Sequence, residues 1–468
     1  MMGIRKPSKC LREVWDMKRG ILCILITGIL LLAGCGQAAD PEAVSGRAAQ
    51  IAQMLRESKF SEVLAQGDAA FQAALPEYQL QQAWCQVALG LGGYREIVDT
   101  SITSQGGDAQ AVVTLGYEKG GLALTLGFDR EMLLTGLWVK SADVQLAAAT
   151  PTPLQSGIQE EEVTFAADPA LPLSGTLTLP DGQEKPLPAV VLVHGSGQSD
   201  RDEAIGPNKP FRDIAHALAA QGIAVLRYDK RYYTYPEAGT ALDSDLTLRE
   251  EVLDDVAAAV QLLRADERIA PTQVFVLGHS MGGMLLPAIL AEDPDLAGGI
   301  SMAGSLRPLW EISYDQNQEL AKTIEPQLNR QQAAVLQQQM QQVESDVAVL
   351  RSLSASMLGN SETLLGIPVG YWRSVEEYRG DRWIDTATQP LLVLQGEADF
   401  QVFPDTDYPL WQQALDGRDN ARCVLYPGLN HLMMPSSGRR DTGDYQFQST
   451  VDTQVTDDIA EFVWENVG

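Results

Sequence analysis

Gly278-His279-Ser280-Met281-Gly282 is the stretch that most restricts what this chain can become. Val274 to Leu277 before it is apolar and β-prone, and Met281 to Leu290 after it is apolar with small residues at its start. A serine between a buried-type strand and a helix, flanked by glycines, fits a sharp strand-to-helix turn, where bulky neighbours would clash. Such a turn lifts the Ser280 hydroxyl clear of the sheet edge. It also aims the Met281 N–H and the helix N-terminus at the place where an oxyanion would form.

The first residues read as an address. Arg5, Lys6, Lys9, Arg12, Lys18 and Arg19 precede the apolar run Ile21 to Ala33, which is shorter than the roughly 20 residues a membrane span needs. Leu32-Ala33-Gly34-Cys35 resembles the lipobox of bacterial lipoproteins, which implies cleavage after residue 34 and a diacylglycerol thioether on Cys35. The plainer alternative is a secretory signal with an incidental cysteine. Loss of residues 1–34 removes six basic and two acidic side chains, moving the formal charge from −28 to about −32. So acidic a protein is repelled by nucleic acid and anionic headgroups, which leaves the lipid chains to hold it at an extracytoplasmic membrane face. Of five cysteines, Cys10 and Cys23 leave with the signal, and Cys85 and Cys423 form neither a disulfide framework nor a metal-binding spacing.

The remainder is long enough for two domains. Residues 35–46 read as a tether. Within 47–145, Ile51, Met54, Leu55, Phe60, Val63, Leu64, Phe71 and Leu75 recur at helical intervals. Ala111–Tyr117 and Leu122–Phe128 then alternate like paired strands, with a third run from Leu133 to Val139, so this part is a small α+β domain. Its layout resembles the domain of unknown function that precedes a hydrolase in Gram-positive lipoproteins. That leaves it as a spacer or as a substrate- or wall-binding module. Residues 146–157 hold Ala149-Thr150-Pro151-Thr152-Pro153, an extended linker.

From 158 to 467 strands and helices alternate. Strands are expected at Glu161–Phe165, Leu173–Leu179, Ala189–Val193, Ile223–Tyr228, Val274–Leu277, Gly299–Met302, Pro390–Leu394 and Arg422–Tyr426, and helices at Phe211–Ala220, Leu246–Leu263 and Val451–Val467. The result is a mostly parallel, doubly wound sheet.

A serine hydroxyl needs a base within hydrogen-bond reach and a third group to hold that base. There are four histidines. His216 lies inside a helix and reads as a surface residue. His279 is inside the turn and cannot reach its neighbour's hydroxyl with good geometry, and His194 reads as a loop organiser. His431 remains, in Pro427-Gly428-Leu429-Asn430-His431 after the last strand. Asp399, after the preceding strand, is the natural orienting acid, with Glu397 and Asp407 as rivals.

The set formed by His194-Gly195-Ser196-Gly197, Asp200-Arg201-Asp202-Glu203, Gly206 to Phe211, Arg227-Tyr228-Asp229-Lys230-Arg231, the serine turn and Gly396-Glu397-Ala398-Asp399 resembles the α/β-hydrolase superfamily, specifically its bacterial esterase and dienelactone-hydrolase-like group. The order Ser280, Asp399, His431 is that fold's order. The resemblance implies that the second oxyanion N–H comes from Ser196. The 200–203 and 227–231 charges would form ion pairs, either shaping the pocket floor or bracing it from beneath.

Nearly ninety residues separate the strands at 299–302 and 390–394, far beyond the usual connection. This insertion, about 305–388, resembles the helical cap of many such hydrolases. Its glutamines (Gln331, Gln332, Gln337, Gln338, Gln339, Gln341, Gln342) suit a solvated helix face. Tyr371, Trp372 and Trp383 either line an apolar pocket or pack the cap down. The sequence thus predicts a lipid-anchored serine hydrolase acting on a small-molecule ester, with no metal or cofactor required. A peptidase, an acyltransferase or a non-catalytic binding lipoprotein are the alternatives.

Overall fold

The computed structural model describes residues 39–105, 107–144, 146, 154–182, 185–236, 246–352 and 357–467. The leader, Cys35 and the Ala149–Pro153 linker lie outside these residues. Among them, no helix is long and apolar enough to cross a membrane.

The N-terminal part packs the helices Pro41–Arg56, Phe60–Ala65, Ala69–Ala74 and Glu77–Ala88 on an antiparallel sheet, β1 (Tyr94–Gln105), β2 (Asp108–Tyr117), β3 (Gly120–Phe128) and β4 (Leu134–Ala142), in sequential order. Along β2, Ala109, Ala111, Val113, Leu115 and Tyr117 are buried, as period-two alternation requires, and they meet Ile51, Leu55, Phe60 and Trp84 from the helices. Two features depart from the sequence reading. The first helix starts at Pro41, inside the stretch assigned to the tether, because Asp40 caps it by accepting from Glu42 N at 3.1 Å and Val44 is already buried. Strand β1 was not foreseen. It is an edge strand whose residues are mostly exposed or half-buried, and two register shifts against β2 break the alternation.

The second part is an eight-stranded sheet. Its strands are β5 (Ile158–Phe165), β6 (Leu173–Pro180), β7 (Leu187–Val193), β8 (Ala224–Tyr228), β9 (Ile269–His279), β10 (Gly298–Met302), β13 (Leu391–Gly396) and β14 (Ala421–Tyr426). The order is β5-β6-β8-β7-β9-β10-β13-β14, and β6 alone runs against the rest. Strand β7, the Val274–Leu277 part of β9 and most of β10 are apolar because apolar cores cover both faces of the sheet there. The helix expected over Leu246–Leu263 instead contains a π turn, Arg249–Leu253, before Asp254–Ala265. That turn brings the Glu251 side chain inside the protein.

The insertion holds the helices Leu309–Ile324 and Arg330–Arg351, the hairpin of β11 (Thr363–Leu364) and β12 (Ile367–Pro368), and the helices Val369–Glu377 and Gly380–Trp383. Only Val343, Val347 and Leu350 of Arg330–Arg351 are buried, and most of its glutamines face solvent as expected.

The N-terminal domain is seated on loops of the second part. Trp84 Nε1 donates to Gln446 Oε1 at 2.8 Å, Gly206 N to Leu89 O at 2.8 Å, and Ser58 Oγ to Gly443 O at 3.2 Å. Lys119, in the β2–β3 turn, pairs with Asp200 at 2.6 Å.

Candidate active site

Packing at the serine turn accounts for both glycines. A Cβ on Gly278 would overlap Gly282 O, and one on Gly282 would overlap Val193 O and lie 2.9 Å from His194 O. Ser280 sits between them at φ 53°, ψ −113°, a conformation that costs a non-glycine residue about 1–3 kcal/mol. The surroundings hold it there. Ser280 N donates to Met302 O at 2.9 Å, and Ser280 O begins the following helix by accepting from Met284 N at 2.9 Å. Met281, the first residue of the helix Met281–Glu292, has one of the N–H groups that lack an intrahelical partner.

His431 lies on the loop after β14. Its Nδ1 is 2.8 Å from Asp399 Oδ2, and both side chains are buried. The carboxylate is fully used: Oδ1 accepts from Gln401 N at 2.8 Å and Val402 N at 3.0 Å, and Oδ2 also accepts from Gln395 Nε2 at 2.9 Å. A proton on Nδ1 facing this anion leaves Nε2 as the basic nitrogen. The loop is braced by Asn430, whose Nδ2 donates to Asp444 Oδ2 at 2.7 Å and whose Oδ1 accepts from Leu432 N at 3.0 Å. It also crosses the end of β13 at Gly396, where a Cβ would overlap Leu429 O.

The link between this pair and the serine is a residue that sequence reasoning had set aside. His279, next to Ser280, donates from Nε2 to His431 O at 3.0 Å, and the two rings lie 4.7 Å apart. Its Nδ1 pairs with Glu203 at 2.8 Å. Burial lowers the His279 pKa, but the close Glu203 carboxylate outweighs it, so the net shift is upward. Nε2 has a hydrogen-bond acceptor in His431 O, whereas the Nδ1–Glu203 Oε2 contact is a close charge pairing outside hydrogen-bond geometry. The clue was Glu203 itself, a charged residue in a glycine-rich loop.

Ser196 stands on the exposed loop after β7, which runs alongside the hydroxyl: a Cβ on Gly195 would be 3.1 Å from Ser280 Cβ and 3.6 Å from Oγ. The Gly195 N–H is taken by Glu203 Oε1 at 2.7 Å. His194 organises the loop as expected, donating from Nε2 to Asp200 O at 3.1 Å, and burial pushes its pKa down to about 4.

The remaining candidates lie elsewhere. Glu397 is exposed, and Asp407 is buried against Arg307 at 2.8 Å and Ser305 at 2.5 Å. His216 is half-buried, not on the surface, because its Nε2 meets Glu160 at 2.8 Å. The 200–203 and 227–231 charges pair as Arg201 with Asp229 at 2.8 Å, Arg227 with Asp202, Lys230 with Glu251 at 2.8 Å and Arg231 with Asp255 at 2.5 Å. Tyr371 packs the insertion down through its bond to Glu251 at 2.8 Å, Trp372 bonds within the insertion to Leu364 O at 2.8 Å, and Trp383 stacks on Tyr378.

Residues 184–436 match the family described as serine aminopeptidase, S33, and residues 48–137 match a protein of unknown function (DUF3887). Esterase EstD of Thermotoga maritima is 32% identical over 416 residues, spanning 88% of this chain and 93% of that protein. Quorum-quenching protein AidA of Acinetobacter baumannii is 31% identical over 114 residues, 24% of this chain and 34% of that one. Among solved structures, Est1E from Butyrivibrio proteoclasticus aligns with a TM-score of 0.39 at 16% identity, covering 65% of this chain and 98% of its own. The chain therefore belongs to the S33 family of α/β hydrolases and is a carboxylesterase-like serine hydrolase behind an N-terminal domain of unknown function.

Proposed function

We propose that the protein hydrolyses small-molecule carboxylic esters through an acyl-enzyme. Ser280 Oγ attacks the ester carbonyl while His431 Nε2 takes its proton, and the tetrahedral oxyanion rests on the Met281 and Ser196 N–H groups. Collapse expels the alcohol, which carries off the proton from His431. A water, deprotonated by the same imidazole, then releases the acid and frees Ser280. Asp399 keeps the imidazole in its reactive tautomer and balances its transient charge. No step draws on a metal or cofactor.

One observation carries this reading: the buried Asp399–His431 pair at 2.8 Å is tied, through His431 O, to His279, the residue adjoining Ser280. A fluorophosphonate probe tests it. Labelling of wild type that disappears in Ser280→Ala is expected, whereas equal labelling of the two would overturn the assignment of the nucleophile. The family's description names an aminopeptidase, so p-nitrophenyl esters should be compared with aminoacyl-nitroanilides. Faster cleavage of the amides would replace esterase by peptidase.

The same proposal includes export and anchoring. The basic leader, its short apolar run and Leu32-Ala33-Gly34-Cys35 support a diacylglyceryl anchor on Cys35 at an extracytoplasmic membrane face. Cys35→Ser should release the enzyme from membranes, and unchanged membrane retention would count against lipidation.

A further inference from the structure

Taking Ser196 as an oxyanion donor, as above, makes the orientation of the Gly195–Ser196 peptide decisive for rate. In a trans peptide the carbonyl and the following N–H point in opposite directions, and no described peptide is cis. Whatever holds Gly195 O therefore aims the Ser196 N–H. That group is Lys230, whose Nζ donates to Gly195 O at 2.8 Å and to Glu251 Oε1 at 2.8 Å, with both side chains buried. The preceding peptide is fixed as well, because Glu203 accepts the Gly195 N–H. A flip of either peptide would break a buried, charge-assisted hydrogen bond.

The clamp continues into the insertion. Glu251 occupies the π turn Arg249–Leu253, and its second oxygen accepts from Tyr371 OH at 2.8 Å. Tyr371 belongs to the helix Val369–Glu377, and its hydroxyl lies 3.8 Å from Met281 Sδ, beside the other donor. A buried Lys–Glu pair is a poor device for stability alone, since apolar residues of similar volume serve as well or better. Its position behind the peptide gives it a different use, because a cation on the carbonyl polarises the amide and strengthens its N–H as a donor.

We propose that Lys230 is a positioning residue for the oxyanion hole, and that Tyr371, acting through Glu251, couples the seating of the insertion to that hole.

The test uses the full chain and four proteins: wild type, Tyr371→Phe, Ser280→Ala, and the double variant Lys230→Met/Glu251→Gln, which removes both charges together. Turnover of a p-nitrophenyl ester is measured beside inhibition by a trifluoromethyl ketone, whose serine adduct carries the oxyanion, and folding is followed by circular dichroism. The double variant should lose kcat roughly a hundredfold with KM nearly unchanged, in line with loss of one oxyanion donor. Ketone affinity should fall in proportion, and Tyr371→Phe should show a smaller loss of the same kind. A folded double variant with wild-type kcat and ketone affinity overturns the proposal. If the double variant does not fold, unchanged ketone affinity in Tyr371→Phe overturns it. Activity retained by Ser280→Ala, or absent from wild type, would instead undo the functional reading beneath it.

Discussion

Glu203 and His279 form an ion pair at 2.8 Å beside Ser280, joining the loop after β7 to the loop that carries His431. Glu203 holds this place at φ 50°, a left-handed conformation that a non-glycine residue keeps only when its surroundings impose it. One carboxylate thus fixes Gly195 N directly and, through His279, the backbone at His431.

This pair gives stability a defined pH dependence. The His279 pKa is raised above the ordinary value of 6.5, so its contribution is complete below that value and fades as pH rises through the folded one. Glu203 behaves inversely. Burial opposes its charge, but the nearby His279 outweighs burial and lowers the pKa below 4.5, so its contribution holds above 4.5 and is lost on acidification. The urea-unfolding gap between wild type and Glu203→Gln should be widest between pH 4.5 and 6.5, on the order of 3 kcal/mol. It should narrow toward pH 9. A gap constant from pH 5 to 9 would show that the pair is not ionised.

His194 works in the opposite direction. Burial against Phe211 and Tyr228 holds its pKa at about 4, so the folded protein resists a proton that the unfolded chain accepts near 6.5. Its contribution is complete above pH 6.5 and is lost as pH falls toward 4, to a total of about 3 kcal/mol. His194→Gln should be less stable at pH 7 by about 1 kcal/mol through the lost bond to Asp200 O. It should also have a shallower acid limb in chemical denaturation between pH 6.5 and 4, and parallel limbs would refute the assignment.

Docking of the N-terminal domain predicts a local effect at long range. Trp84→Phe keeps most of the buried ring but removes the donor to Gln446, the segment that follows the His431 loop. Amide exchange at 443–449 should accelerate by about fivefold, equivalent to about 1 kcal/mol of local opening. Exchange in the distant strand β14 should not change. Equal exchange of 443–449 in both proteins would mean that the domain does not brace this segment.

Legibility in the sequence followed periodicity and burial. Strands β7 and β10 and the Val274–Leu277 part of β9 are covered on both faces, so they stand out as apolar runs, while the more exposed stretch of β9 at Ala270–Gln273 did not. Strand β1 escaped because an edge strand buries little and its bulges disturb the alternation that would mark it. At the site, Ser280 was marked by its glycine-flanked turn, Asp399 by its place after the preceding strand, and His431 by eliminating the other histidines. The same elimination passed over His279. The pairing of Glu203 with His279 spans the whole of β8 and its flanking helices, and no local pattern encodes it. Lys230 was visible only as one charge among many, since its role depends on a π turn that helical periodicity disguises.

Gly396 offers the most direct test of how the His431 loop is placed. It ends β13, and an added Cβ would overlap Leu429 O and lie 2.7 Å from Asn430 O. Both neighbours are backbone atoms, so they can move away only by shifting the loop itself. Asn430 is bonded to Asp444 and Leu432, so the shift would be carried to His431. Displacement of a catalytic base by about 1 Å can lower turnover by about a hundredfold. Gly396→Ala should therefore lose kcat on that scale while keeping the fluorophosphonate-reactive serine in its turn, so slow labelling should persist. Gly46→Ala is the control, because a Cβ there meets nothing within 4 Å and the residue lies inside the helix Pro41–Arg56. It should gain about 0.5–1 kcal/mol in stability without change in kcat. Wild-type turnover in Gly396→Ala would mean that the loop has room the packing does not suggest, and that His431 is not held through β13.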